Sequence, residues 1–244
     1  KNTHLFLNIF QFIDIHILLV NKRPGQVVHA DESGSANTLI DHIKAYLYQK
    51  REWNPRWENA FAPALCNRID RNTGGMVIAA KSAEALRVMN DKIRSREILK
   101  YYLCITLGRP TPAEGTLSGY LFKDESKKQV FVRRVPSPGA KTAITHYKTL
   151  LSRGALSLVE CELMTGRTHQ IRAQFAAAGH PLLGDGKYGR GEINRRYGEE
   201  KQALYSYKLT FAFRTDAGAL NYLNGKTVEI KNIPFCAKYF PDYH

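Results

Sequence analysis

Asn67-Arg68-Ile69-Asp70-Arg71-Asn72-Thr73-Gly74-Gly75 is the stretch on which the reading of this chain turns. Leu65 to Ile69 runs apolar into it and Met76 to Ala80 runs apolar out of it, so it reads as a turn between two strands. An acid, Asp70, sits in that turn with Arg68 and Arg71 beside it. The pattern has a purely conformational explanation, because Asp side chains hydrogen-bond their own backbone in turns and paired glycines admit unusual dihedrals. It also has a chemical one: a carboxylate kept ionised by nearby cations on the floor of a cleft can act as nucleophile or base.

Upstream of the turn, Ile15 to Val20 predicts a short buried strand, and Asn21-Lys22-Arg23-Pro24-Gly25 predicts a turn in which Pro fixes φ. Val27-Val28 would begin a returning strand. From Thr38 to Lys50 the apolar residues fall at 39, 40, 43 and 47, the spacing of a helix with Thr38 as its cap. Arg51 to Phe61, polar and aromatic with Pro55, reads as a loop. Downstream, Ser82 caps a second helix whose apolar face is Leu86, Met89 and Ile93, with Lys92, Arg94 and Arg96 suited to its negative end. Tyr101 to Leu107 alternates as a strand does, and further strands are predicted at Gln129 to Arg133, Thr142 to Leu151, Leu156 to Leu163, Leu204 to Phe213 and Thr227 to Ile230. Thr168 to Ala178 predicts a helix stopped by Gly179 and Pro181. Strands outnumber helices, so the fold class is α+β: a central, largely antiparallel mixed sheet flanked by helices and loops.

The 244 residues, 43% hydrophobic, suffice for a sizeable core, and no linker divides them. Residues 15–244 are expected to form one catalytic-sized domain behind a lead-in of residues 1–14, apolar at 5, 6, 7, 9, 10 and 12. The chain begins with Lys and not Met, which suggests trimming and an upstream domain. Thirty-six Lys and Arg against 22 Asp and Glu leave a net charge of +14, which favours a polyanion such as nucleic acid as partner. Cys66, Cys104, Cys161 and Cys236 are scattered with no C-x-x-C pair, which argues against zinc and against a disulfide scaffold; reduced thiols in a cytoplasm fit best. No apolar run approaches the roughly 20 residues of a membrane span.

The run Arg68-Ile69-Asp70-Arg71-x-Thr73-x-Gly75 resembles the catalytic loop of the RluA family of RNA pseudouridine synthases. Lys22-Arg23-Pro24-Gly25 with Val28-His29, and Lys100-Tyr101-Tyr102-Leu103-Cys104, are similar to two further stretches of that family. Thr165-Gly166-Arg167-Thr168-His169-Gln170-Ile171-Arg172, followed by Gly179-His180-Pro181-Leu182-Leu183-Gly184-Asp185 and Tyr188-Gly189, is nearly its whole signature. The matches keep the family's order over about residues 15 to 230. Asn67, Gly74, Gln174 and Cys104 depart from the residues the family commonly has, and none of them replaces a catalytic residue.

The resemblance implies an isomerase that detaches uracil from ribose and rejoins it through carbon five, with no cofactor and no metal. It assigns attack on the sugar to Asp70, by covalent addition or by deprotonation to a glycal, and makes Arg172 the cation that steadies it. Tyr102 is the expected pocket aromatic, stacking on a flipped uracil and handling a proton; Tyr101, on the opposite face of a strand, cannot share that pocket. Arg68 is expected to fill the space the flipped base vacates. Asn67, Arg71, Lys100, Arg167 and Ile171 complete the expected RNA-binding set. His169 and His180 read as structural, and Asp185 as a turn brace. Ribosomal RNA is the favoured substrate and transfer RNA the runner-up, for a monomer with no membrane partner. The rival readings are a non-catalytic RNA-binding or chaperone module and a metal-dependent nuclease, the latter wanting clustered carboxylates or His ligands that the sequence does not offer.

Overall fold

A computed structural model describes residues 10–29, 37–58 and 61–243. In chain order its elements are β1 (Phe10–Ile13), β2 (Ile17–Lys22), α1 (Leu39–Gln49), β3 (Ala64–Leu65), β4 (Gly74–Ala80), α2 (Ala83–Arg94), β5 (Ile98–Leu107), β6 (Glu114–Asp124), β7 (Gln129–Arg133), β8 (Lys141–Arg153), β9 (Leu156–Leu163), α3 (Gln170–Ala177), α4 (Gly191–Tyr197), β10 (Leu204–Phe211), a 3-10 helix (Gly218–Leu223), β11 (Thr227–Glu229) and α5 (Pro234–Tyr239). The class is α+β, as predicted. The chain divides into two compact units, one of residues 1–99 and 208–230 and the other of residues 100–207 and 231–244. The apolar residues noted at 5, 6, 7 and 9 lie outside the described residues.

In the first unit β1, β2 and β4 are successive antiparallel neighbours, and β3 pairs with β4. Ile17 to Val20 and Met76 to Ala80 are almost wholly buried, which is why both read as unbroken apolar runs. Thr38 caps α1 as its sequence predicted: its hydroxyl accepts from the Asp41 N–H, and its own N–H donates to the Asp41 carboxylate at 3.0 Å. The helix buries Leu39, Ile40, Ile43 and Leu47. The returning strand expected at Val27-Val28 does not form. The carbonyls of these residues instead accept the N–H groups of Leu39 and Ile40 at 2.8 and 3.3 Å, satisfying donors that a helix start leaves open.

Lys92 also departs from expectation. It does not face solvent at the end of α2 but pairs inside the unit with Glu97 at 2.8 Å, the two side chains 4% and 2% exposed. Its ammonium donates further to the Thr215 carbonyl and hydroxyl, each at 2.6 Å, and lies 5.0 Å from the centre of the Phe213 ring. Glu97 meanwhile accepts the N–H groups of Arg214 and Thr215. The Lys92 hydrogen bond first, with these donors, holds the Glu97 carboxyl far below its ordinary value despite burial.

The second unit carries an antiparallel sheet in the order β5-β9-β8-β6-β7. Two glutamines pin α3 across it. Gln170 donates to the Ile144 carbonyl (3.0 Å) and the Thr145 hydroxyl (2.8 Å), while its amide oxygen accepts from the Thr165 hydroxyl (2.8 Å) and the Arg167 N–H (3.1 Å). Gln174 donates to the carbonyls of Leu117 (2.9 Å) and Ala143 (3.2 Å) and accepts from Thr145 (2.7 Å). Buried amides are tolerated only when so satisfied, and these fix the helix to the strands with little freedom to slide. In the same unit Cys104 and Cys161 are fully buried with sulfurs 3.8 Å apart, and burial raises the Cys161 thiol well above its ordinary value.

Candidate active site

In the first unit, Asp70 lies half-buried in a tight turn closed by the Thr73 N–H donating to the Asp70 carbonyl at 3.0 Å. The turn is held from behind. Lys22, fully buried at the end of β2, donates to the carbonyls of Arg23 (3.1 Å), Gln26 (3.1 Å) and Arg71 (2.8 Å), so one ammonium joins the 23–26 turn to the acid turn. Arg71 adds a reciprocal pair: its carbonyl accepts the Gly25 N–H (2.8 Å) and its Nε donates to the Gly25 carbonyl (3.2 Å). Asn67 accepts the Ile78 N–H on its amide oxygen at 2.7 Å, tying the entry of the turn to β4. Arg68, in contrast, is exposed. Of the three residues expected to face RNA here, Asn67 and Arg71 thus also build the turn. The brace by Lys22 was missed, although its place in a run shared with the RluA family was a signal that it had a task.

In the second unit, register places Tyr102 of β5 opposite Cys161 and Tyr101 opposite Glu162, on alternate faces as predicted. Tyr102 is 7% exposed. The Tyr101 hydroxyl is pushed up by burial and by the neighbouring Glu162 and Glu160. Lys100 brings its ammonium against Gly166, where a Cβ would lie 3.5 Å from Nζ. Arg167 is exposed but donates from Nε to the Thr142 carbonyl at 3.1 Å, and Ile171 is buried.

Arg172, 6% exposed, points its guanidinium fork at Asp185: Nε donates to Oδ2 at 2.7 Å and Nη2 to Oδ1 at 3.0 Å. Such two-point pairing fixes direction as well as charge. Burial of Asp185 opposes its ionisation, but Arg172 and the N–H groups of Tyr188 and Lys187 outweigh it and hold the carboxyl below its ordinary value. The acid expected only to brace a turn therefore also aims the arginine. His180 shares a hydrogen bond with the Leu107 carbonyl at 3.2 Å, in keeping with a structural role. Among the described residues no three His, Cys, Asp or Glu side chains cluster as a metal site.

The first unit thus carries a fixed acid turn, and the second a buried tyrosine and guanidinium on a sheet crossed by a pinned helix. In fold the chain is similar to the solved structure of human RNA pseudouridylate synthase domain containing 4, with a TM-score of 0.72 and 22% identity, covering 95% of this chain and 91% of that one. The profile of the family described as RNA pseudouridylate synthase matches residues 16–177. Uncharacterized RNA pseudouridine synthase YhcT of Bacillus subtilis is 36% identical over 202 residues, 81% of this chain and 62% of that protein. Ribosomal large subunit pseudouridine synthase D of Zymomonas mobilis is 32% identical over 225 residues, 89% of this chain and 66% of that protein. The chain belongs to the RNA pseudouridylate synthase family, as its resemblance to the RluA type implied. It spans 62% and 66% of the length of these two relatives.

Proposed function

We propose that this chain isomerises uridines of structured RNA to pseudouridine, with ribosomal RNA as the substrate. The reading is supported above all by the Asp70 turn, in which a carboxylate is left half-buried while the backbone around it is anchored by a buried lysine. A preorganised acid of this kind reaches the sugar without first paying to be ordered. The name ribosomal large subunit pseudouridine synthase D, carried by relatives in Zymomonas mobilis and Borreliella burgdorferi, supports the ribosomal target.

In this reading the uridine leaves its stack at a cost of a few kcal/mol. Arg68, exposed beside the acid, fills the vacated space, and Tyr102 stacks on the uracil. Asp70 breaks the glycosidic bond by adding to the sugar or by deprotonating it. The freed base turns, and carbon five joins the ribose as the Asp70–sugar bond breaks or, by the glycal route, as Asp70 returns its proton to the sugar. The proton on carbon five is then taken by a base within reach, and the ring nitrogen that left the sugar is protonated. Arg172 supplies the cation that keeps the acid charged, and Asn67, Arg71, Lys100 and Arg167 line the RNA path, while Ile171, expected beside them, is buried in its helix. No cofactor or metal enters this scheme, and the enzyme works as a cytoplasmic monomer.

The test is to incubate the purified chain with ribosomal and transfer RNA transcripts and to map pseudouridine chemically. Wild type is expected to modify the ribosomal transcript, and Asp70→Asn to lose at least about 10³-fold in rate while binding RNA normally. Unchanged product from Asp70→Asn would sink the mechanism. Modification of the transfer RNA alone would move the substrate.

A further inference from the structure

Tyr188 touches the arginine and a strand hairpin at once, and no role in the proposed reaction yet accounts for it. It closes the loop that follows Asp185: its N–H donates to Asp185 Oδ1 at 3.0 Å, next to the N–H of Lys187 at 2.9 Å. Asp185 thereby presents its carboxylate squarely to Arg172. The ring of Tyr188 lies 5.2 Å from the Arg172 Cζ. A carboxylate at one edge and a ring against the guanidinium restrict both the direction and the tilt of its plane.

The other end of Tyr188 reaches the β6–β7 hairpin. The Val130 N–H donates to the Tyr188 hydroxyl at 2.8 Å, and the same oxygen shares a hydrogen bond with His169 Nδ1 at 2.9 Å. β7 is the outermost strand of the second unit's sheet, so the Val130 N–H faces away from the ladder and would otherwise lack a strand partner. Two more bonds stitch the same loop to the hairpin: Gln129 donates to the Lys187 carbonyl at 2.9 Å, and the Lys187 ammonium to the Lys128 carbonyl. Val130 and Ala173 share one small core with Leu121 and Ala143, against which the Tyr188 ring packs. The hairpin, α3 and the Asp185 loop therefore meet at a single side chain.

We propose that Tyr188 is a positioning residue, which sets the plane of the Arg172 guanidinium and makes it depend on the seating of the β6–β7 hairpin. The inference rests on the proposed synthase activity for its kinetic consequence but not for its structural one, so two kinds of measurement separate them. Tyr188→Leu removes ring and hydroxyl; Tyr188→Phe removes the hydroxyl alone.

In the full chain labelled with nitrogen-15, the Arg172 Nε–H resonance is identified by its loss in Arg172→Lys. Tyr188→Leu should shift that resonance and speed its exchange with water, whereas Tyr188→Phe should leave it near its place but speed exchange of the Val130 amide. With a ribosomal transcript, Tyr188→Leu should lower the single-turnover rate by about 10²-fold, the cost of a small misplacement, with RNA affinity within about twofold of wild type. Tyr188→Phe should lie between. A folded Tyr188→Leu with an unaltered Arg172 resonance overturns the proposal. Should that variant not fold, unaltered exchange at Val130 in Tyr188→Phe does the same. If wild type makes no pseudouridine on any RNA, the synthase reading falls, and the two spectroscopic readouts still decide the positioning role.

Discussion

Lys92 and Glu97 show what a single buried charge costs when its partner goes. Both side chains are shielded from water, so removing one strands the other in a medium that solvates it poorly. Glu97→Gln is expected to lower stability by about 3 kcal/mol at neutral pH, read from urea unfolding midpoints. The sign of the pH dependence follows from the depressed carboxyl. The stabilisation is complete above the ordinary carboxylate value of 4.5 and is lost as pH falls through the lower folded-state value. The gap between wild type and Glu97→Gln should therefore be widest near neutrality and narrow as acid is added below that value; a gap independent of pH would refute the assignment. At this scale the sequence was legible for residues whose neighbours in the chain define them, such as Thr38 and Asp41 in their capping box. It was opaque for Lys22, Lys92 and Asp185, because each finds partners through the fold, and a lone Lys or Asp in a string of residues carries no mark of burial.

Periodicity revealed most of the strands and the longer helices, since each of those segments buries one face or all of itself. It failed where burial was weak or local chemistry intervened. β6 escaped because Gly115 and Gly119 interrupt the alternation of its side chains and much of it is half-exposed. The short α4 and α5 are less than two turns long, too brief for a 3.6-residue period to register. Val27-Val28 looked like a strand on propensity alone but spends its carbonyls on α1. The connections between elements carry their own demands. Gly184, before Asp185, has φ +75, and a Cβ there would fall 2.1 Å from the Lys201 carbonyl oxygen. Gly198, with φ +67, ends α4 with no heavy atom within 4 Å of a Cβ. Gly198→Ala should cost about 1–2 kcal/mol, the backbone penalty alone. Gly184→Ala should cost more than that, because the Lys201 backbone must also move. Thermal midpoints of the two variants compare them directly, and equal losses would show that crowding at Gly184 is absorbed without effort.

For the molecule as a whole, charge is the property most plainly written in the sequence. A surplus of +14 lends any RNA complex a strong electrostatic component. If about six phosphates are neutralised, affinity for a duplex transcript should fall by about 10³-fold between 50 and 200 mM salt. A filter-binding titration across that range measures the slope, and a flat response would remove phosphate contacts from the account. The division into two units was not legible: the strands of residues 98–107 and 204–211 each contribute residues to both, and hydrophobic pattern does not say where one compact body gives way to another. Motif order carried the family assignment instead, since eight matching residues from Thr165 to Arg172 constrain chemistry and packing together.

The sealed thiols give the protein a practical convenience. Burial lifts Cys66 and Cys236 to about 12 and Cys161 well above its ordinary value. At neutral pH only about one in 10⁵ of the Cys66 and Cys236 sulfurs is thiolate, the form that attacks maleimides. A cysteine introduced at exposed Lys127 would outrun these three native thiols, so a fluorophore could be attached to the hairpin in a background that keeps its own sulfurs.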